Sequence, residues 1–218
     1  MKERPILFSG PMVRAILDGR KTQTRRILKC PSPCHVCKEG TESDPDCWDS
    51  GFLDADTGEP LSIAQIPCPY GQPGDRLWVR ETHKFNGTIA GPRCTYRADA
   101  SEKWFENAPD DSPAWIADDN NWCPSIFMPR WASRITLEII RVRVERLQEI
   151  TGDDAVAEGI LWNDCPTTEA PESIVKGWGV RKVDYAGGYR NLWEIINGTD
   201  AWAQNPWVWV IEFKREQP

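Results

Sequence analysis

The chain has no apolar run close to the roughly 20 residues that a membrane helix needs. Its first residues, Met1-Lys2-Glu3-Arg4-Pro5, lead only into Ile6-Leu7-Phe8 before Ser9-Gly10. That apolar stretch is too short for a secretory signal. The sequence therefore predicts a cytoplasmic protein without membrane partners. Positive charge is also scarce. Lys plus Arg is 26 against 33 Asp plus Glu, a net charge of −7. A chain of that sign is not a general polyanion binder, so any nucleic acid must be met through a local basic patch. There is no internal repeat and no parallel βαβ series, which excludes solenoids and doubly wound sheets.

What is present is tryptophan. The apolar fraction is a modest 40%, but it includes 12 Trp, each burying a large area, so the core can exceed what the percentage suggests. A length of 218 residues gives room for one large domain or two small ones. Pro5 to Phe8 reads as a strand. Ser9-Gly10-Pro11 can open a helix that runs through Met12, Val13, Ile16 and Leu17 and stops at Gly19. After Gln72-Pro73-Gly74-Asp75, residues 76–81 alternate as a strand does. Ile135 to Leu147 forms the longest β-like run, as one strand or two with a bulge. Thr151 to Asp154 resembles a capping box that opens a short helix ending at Glu158-Gly159. Tyr189, Leu192, Trp193 and Ile196 have helical spacing before Asn197-Gly198. Pro206 to Phe213 is a closing strand, apolar on both faces at Trp207 to Val210, which suits a central position. Strands joined by short helices predict an α+β fold built on a small closed or half-closed β-barrel. Residues at about 29–70, 84–132 and 162–203 read as irregular insertions.

Gly19-Arg20-Lys21-Thr22-Gln23-Thr24-Arg25-Arg26 carries four cations in seven residues, read as a turn leaving the first helix. Arginine forks match phosphate or carboxylate, and threonine hydroxyls can bond a base edge or a phosphate. Clustered cations lower the pKa of a lysine among them and make it a usable base. The plainer alternative is a solvated basic turn. Arg130 and Arg134 bracket Trp131 and can extend the patch.

The helix followed by Gly-Arg-Lys-Thr-x-Thr-x-Arg resembles the signature of ASCH-domain proteins, whose fold is a PUA-like β-barrel. Pro73 to Val79, Ile135 to Ile160 and Trp207 to Lys214 resemble further family segments in family order. The resemblance implies one ASCH domain over residues 1–218, carrying the three insertions. The short bacterial members hydrolyse N(4)-acetylcytidine. Matching them motif to motif implies Thr24 as nucleophile, Lys21 as proton acceptor and Glu158 as proton donor. Arg20, Thr22, Arg25, Arg26 and Arg134 are then candidates to hold the substrate. The whole chain also resembles a longer ASCH group of phages and prophages, which implies a bacterial host cell. The likeness to the short enzymes covers less than half of the chain, and Arg25 stands where they have an aliphatic residue. Three functions stay open: an amidohydrolase acting on N(4)-acetylcytidine, a non-catalytic regulatory module that binds RNA or a modified base, and a ribonuclease using the same cleft. Each takes RNA or a nucleoside-type ligand as its partner.

Cys30-x3-Cys34-His35-Val36-Cys37-x9-Cys47 points to a structural zinc. Cys34-x2-Cys37 presents two thiolates to one tetrahedral ion, and Cys30 and Cys47 can complete the set, with Cys68 as an alternative fourth ligand. No cofactor is expected for catalysis. Among the aromatics, Trp78, Trp131, Trp207 and Trp209 are expected in the core. Trp104, Trp115, Trp122, Trp162 and Trp178 are placed in loops, where one or two can stack a base. His83 is expected at the surface. Protein purified without chelator should carry about one equivalent of zinc by elemental analysis, and less than about half an equivalent would remove the cysteine site.

Overall fold

The structure is a computed structural model. It describes residues 1–29, 52–53, 60–61, 67–88, 91–105, 121–165, 167–168 and 182–216. The fold is α+β, mostly sheet with few helices. The strands are β1 (Glu3–Leu7), β2 (Gln23–Ile27), β3 (Phe52–Leu53), β4 (Pro60–Leu61), β5 (Arg76–Arg80), β6 (His83–Thr88), β7 (Gly91–Tyr96), β8 (Glu102–Trp104), β9 (Thr136–Arg146), β10 (Thr167–Thr168), β11 (Lys182–Val183) and β12 (Trp207–Arg215). The helices are α1 (Gly10–Leu17), α2 (Gly152–Ala157) and α3 (Tyr185–Asn197). Five strands hydrogen-bond in the order β1-β5-β9-β12-β2. This sheet has two ends, and no closed barrel forms among the described residues. No helix among them is long and apolar enough to cross a membrane.

The chain divides into two compact units, Met1–Thr22 with Pro69–Arg141 and Phe213–Pro218, and Gln23–Cys68 with Val142–Glu212. In the first unit β1 runs parallel to β5, a pairing not anticipated from the sequence, and β5 runs antiparallel to β9. Ile6, Leu77, Val79, Ile135, Leu137 and Ile139 are buried along these strands. The Gly71-Gln72-Pro73-Gly74 turn is closed by Asp75, whose carboxylate accepts the Lys2 amide at 2.7 Å and the Gln72 amide at 3.3 Å. The Lys2 amide bond holds the Asp75 carboxyl below the usual range. Gly71 has φ +122°, and a Cβ there would stand 3.0 Å from the Asp75 carboxylate, so the turn requires glycine.

The segment read as an irregular insertion from 84 holds a three-stranded antiparallel sheet, β6-β7-β8. Its alternation is short but regular. Phe85, Cys94 and Tyr96 face inward onto Met128 and Ala132, and Lys84 and Arg93 alternate with them. The sequence pattern is weak because Thr95, on the opposite face, is itself buried and the strands are brief.

In the second unit β12 pairs antiparallel with β2, Val208 opposite Ile27 and Glu212 opposite Gln23. The basic turn thus becomes a strand from Gln23 onward. Its apolar core is Leu147, Ile150, Ala155, Ile160, Tyr189, Trp193, Ala201, Val208 and Val210. Full burial of each large apolar side chain contributes about 1.5–3 kcal/mol. Residues 162–203, read as an insertion, therefore supply core through α3. Gly198 ends that helix with φ +101°, as the Asn-Gly signal suggested. Gly188 lies where α3 meets the turn after Ile160. A Cβ there would come within 2.9 Å of Cys165 Sγ and 3.0 Å of Ile160 Cγ2. Gly188→Ala should destabilise the protein by about 1–3 kcal/mol through overpacking, read as a lower melting temperature.

Candidate functional site

Local chain geometry fixes Lys21. Helix α1 buries Val13, Ala15 and Ile16, and its end turns at Gly19, φ +74°. The amides of Arg20 and Lys21 both donate to the Ala15 carbonyl, at 2.9 and 3.0 Å. Lys21 is 2% exposed, and its ammonium lies 5.8 Å from the centre of the Phe8 ring. Arg20 is half-exposed and pairs with Asp18 at 2.9 Å, and Thr22 is exposed.

Strand alternation sorts the rest of the motif. Gln23 and Arg25 share one face of β2, and Thr24 and Arg26 share the other. Thr24 is buried opposite Ile211, and Arg26 is half-buried opposite Trp209. The Arg25 side chain has no solvent exposure. Its Nη2 donates to Glu145 and lies 3.4 Å from Asp154 Oδ2, and its Nη1 donates to Glu158 Oε1 at 3.4 Å. The guanidinium carbon stands 5.8 Å from the centre of the Tyr189 ring. Arg143 completes a second fork, donating to Glu145 at 3.0 Å, to Asp154 at 2.9 Å and to Glu212.

Helix α2 delivers Glu158. Thr151 caps it reciprocally with Asp154, as the sequence predicted, and Glu158 is the C-terminal capping residue before Gly159, φ +93°. A carboxylate at a helix C-terminus meets the negative end of the dipole, which Arg25 offsets. Burial pushes the Asp154 carboxyl up, but its bonds from Thr151 and the nearby Arg25 charge hold it below the usual range. Asp154 thus both caps α2 and anchors the arginine pair.

The structure therefore brings Arg25 together with Glu158, while Thr24 lies on the other face of β2. Lys21 belongs to the first unit. Arg134, also in the first unit, grips Glu81 with two bonds of 2.8 Å. It reaches Asp99 at 2.9 Å and Ser101, and it stacks 4.0 Å from the centre of the Tyr96 ring. Arg134 is thus engaged as an internal clamp. Cys30, Cys34, Cys37 and Cys47 lie outside the described residues, as do Trp115 and Trp178. Cys68 is half-buried. Among the described residues no group of three His, Cys, Asp or Glu side chains is placed to hold a metal.

Sequence reasoning missed Glu145, Arg143, Asp154 and Tyr189 as neighbours of the motif. The only hint was the alternation of Arg143 and Glu145 on β9. It also misplaced His83, which is fully buried. His83 Nδ1 donates to the Glu81 carbonyl at 3.1 Å, and Nε2 has no hydrogen-bond partner among the described residues. Burial holds this imidazole below its ordinary pKa, with the Glu81 carbonyl pulling the other way. No family model, no curated protein and no solved structure matches this chain.

His83 sets a stability slope. The folded state keeps the ring neutral, while the unfolded chain takes up a proton near pH 6.5. Its contribution is complete above that pH and is lost as pH falls from there through the lower folded value. Between pH 7.5 and 5.5 the melting temperature of the wild type should fall by more than that of His83→Gln. Equal slopes would assign the loss to other groups.

Proposed function

We propose that this is an ASCH-type, PUA-like protein that recognises a nucleobase or nucleoside, free or within RNA, through the polar side chains of the Arg20–Arg26 segment and Glu158. One observation carries the reading. Lys21 is 2% exposed, Thr24 2%, Arg25 3% and Glu158 4%, and together they make four of the ten buried polar or charged residues among those described. Lysine and glutamate are almost never fully buried without a partner or a task. That the motif's own residues are the buried ones supports a site over a solvated turn.

The reaction open to such a site is hydrolysis of the N-acyl amide of N(4)-acetylcytidine. Thr24 Oγ attacks the acetyl carbonyl as Lys21 takes its proton. The C–N bond breaks as Glu158 gives a proton to the leaving nitrogen, and water then releases acetate from the threonine. A second reading, recognition without hydrolysis, is favoured by Thr24 and Arg25 standing on opposite faces of β2 while Arg25 engages Glu158. The proposal includes a phage or prophage origin. It also includes a structural zinc on Cys30, Cys34, Cys37 and Cys47, with Cys68 as the alternative ligand, supported by the thiolate spacing alone.

Purified protein incubated with N(4)-acetylcytidine should release cytidine, followed by chromatography. Lys21→Ala should lower that turnover by at least about 100-fold, the usual worth of a proton-transfer group. Ligand binding without any cytidine would establish the non-catalytic reading, and RNA fragments would establish a nuclease.

A further inference from the structure

We propose that the outer face of the β6-β7-β8 sheet is a binding surface for single-stranded RNA. The proposal rests on the nucleoside-recognition reading and narrows its ligand to an RNA strand.

The face is built by register. Arg93 and Trp104 stand opposite each other across β7 and β8, as do Lys84, Thr95 and Glu102 across the three strands. The inward side of the same strands is committed to Phe85, Cys94 and Tyr96. Two tryptophans remain uncovered here, Trp104 at 50% and Trp122 at 39% exposure. Trp122 is brought beside β6 by paired backbone bonds between His83 and Cys123. Exposing one large aromatic is ordinary, but here each carries a cation on its ring. Arg93 lies 5.4 Å from the Trp104 ring, and Lys84 and Arg97 lie 5.6 and 5.7 Å from Trp122.

Cations interleaved with open indole faces are what a single strand requires. Phosphates are answered by Lys and Arg, and unpaired bases stack on the rings. Arg97 also lines a cleft of about 330 Å³ with Ser9, Arg14 and Thr82, which places a concavity next to the Trp122 platform. That volume lies at the lower end of ligand pockets, about 300–1,000 Å³. The partner's chemistry follows from charge. The chain is net −7, so a polyanion is drawn only to local groups of cations, here Lys84 and Arg97 over Trp122 with Arg93 nearby, itself paired to Glu102. Glu102 distinguishes the sugar. Its carboxylate already accepts from Arg93 at 2.8 Å and from Thr95 at 3.3 Å, and it remains exposed. An acceptor in this position suits a ribose 2′-hydroxyl, which DNA lacks.

The test uses the full chain and a fluorescent oligouridylate of about 12 nucleotides, with binding read by anisotropy. Binding should weaken as salt rises. Trp104→Ala and Trp122→Ala should each weaken it roughly 5- to 150-fold, the worth of one stacked base. The Trp→Phe variants, which keep a ring, should retain most of the affinity, and the matching deoxy-oligomer should bind more weakly. The proposal is overturned if both alanine variants bind as the wild type does. Equal affinity for the deoxy-oligomer, or displacement of the RNA by an acidic polypeptide at equal concentration, would overturn it too. The Trp104 and Trp122 variants report this face and cytidine release reports the Lys21 motif, so failure of either is read separately.

Discussion

A guanidinium with no solvent exposure, that of Arg25, sets the terms for the second unit. A buried cation is tolerated only when its donors are answered, because stripping its hydration costs several kcal/mol. The two terminal nitrogens of Arg25 are answered from two elements, by Glu145 on β9 and by Asp154 and Glu158 at the two ends of α2, while its Nε has no hydrogen-bond partner among the described residues. That requirement constrains the architecture. Helix α2 has six residues, too few to persist on propensity alone. It is held by its Thr151–Asp154 cap, by burial of Ala155 and by the ion pairs its carboxylates make. The same pairs orient Glu158, so fold and candidate chemistry share one set of contacts.

Much of the fold was legible in the sequence. Strands β5, β9 and β12 and helix α1 announce themselves by alternation or helical spacing, and Gly19, Gly159 and Gly198 end helices where the sequence placed stops. Two elements were not legible, for opposite reasons. β2 was hidden by charge. Gln-Thr-Arg-Arg lacks the apolar alternation of a half-buried strand, because its inward residues bury polar atoms against distant partners. β6-β7-β8 was hidden by brevity, since three or four inward residues per hairpin give too short a period to stand out between Gly, Pro and Asp.

The candidate site was legible as a set of residue types and only partly as an arrangement. The spacing from Thr151 to Gly159 correctly put Glu158 at a helix terminus, since capping is local chemistry. Its partners could not be read, because Glu145 and Arg143 reach the motif across more than 100 residues of chain. His83 shows the same limit. A lone histidine between Thr82 and Lys84 looks solvated, yet the inward register of β6 buries it completely.

Arginine serves two different ends in this chain, and burial separates them. Arg25, Arg143 and Arg134 face carboxylates in sites where the dielectric is low, so their geometry is fixed and their charge is cancelled locally. Arg97 lies instead over the Trp122 ring, which solvent reaches. A ring attracts a cation without neutralising it, so the charge stays available to an incoming anion. This distinction bears on the Arg20–Arg26 motif. With Lys21 and Arg25 buried and Arg20 paired with Asp18, the densest run of cations in the sequence is not a basic surface. Any recognition it performs has to come from shape and hydrogen bonds rather than from a field of open charge. Under the proposed RNA reading, the long-range pull on a polyanion would fall to residues that the density of positive charge along the chain does not single out.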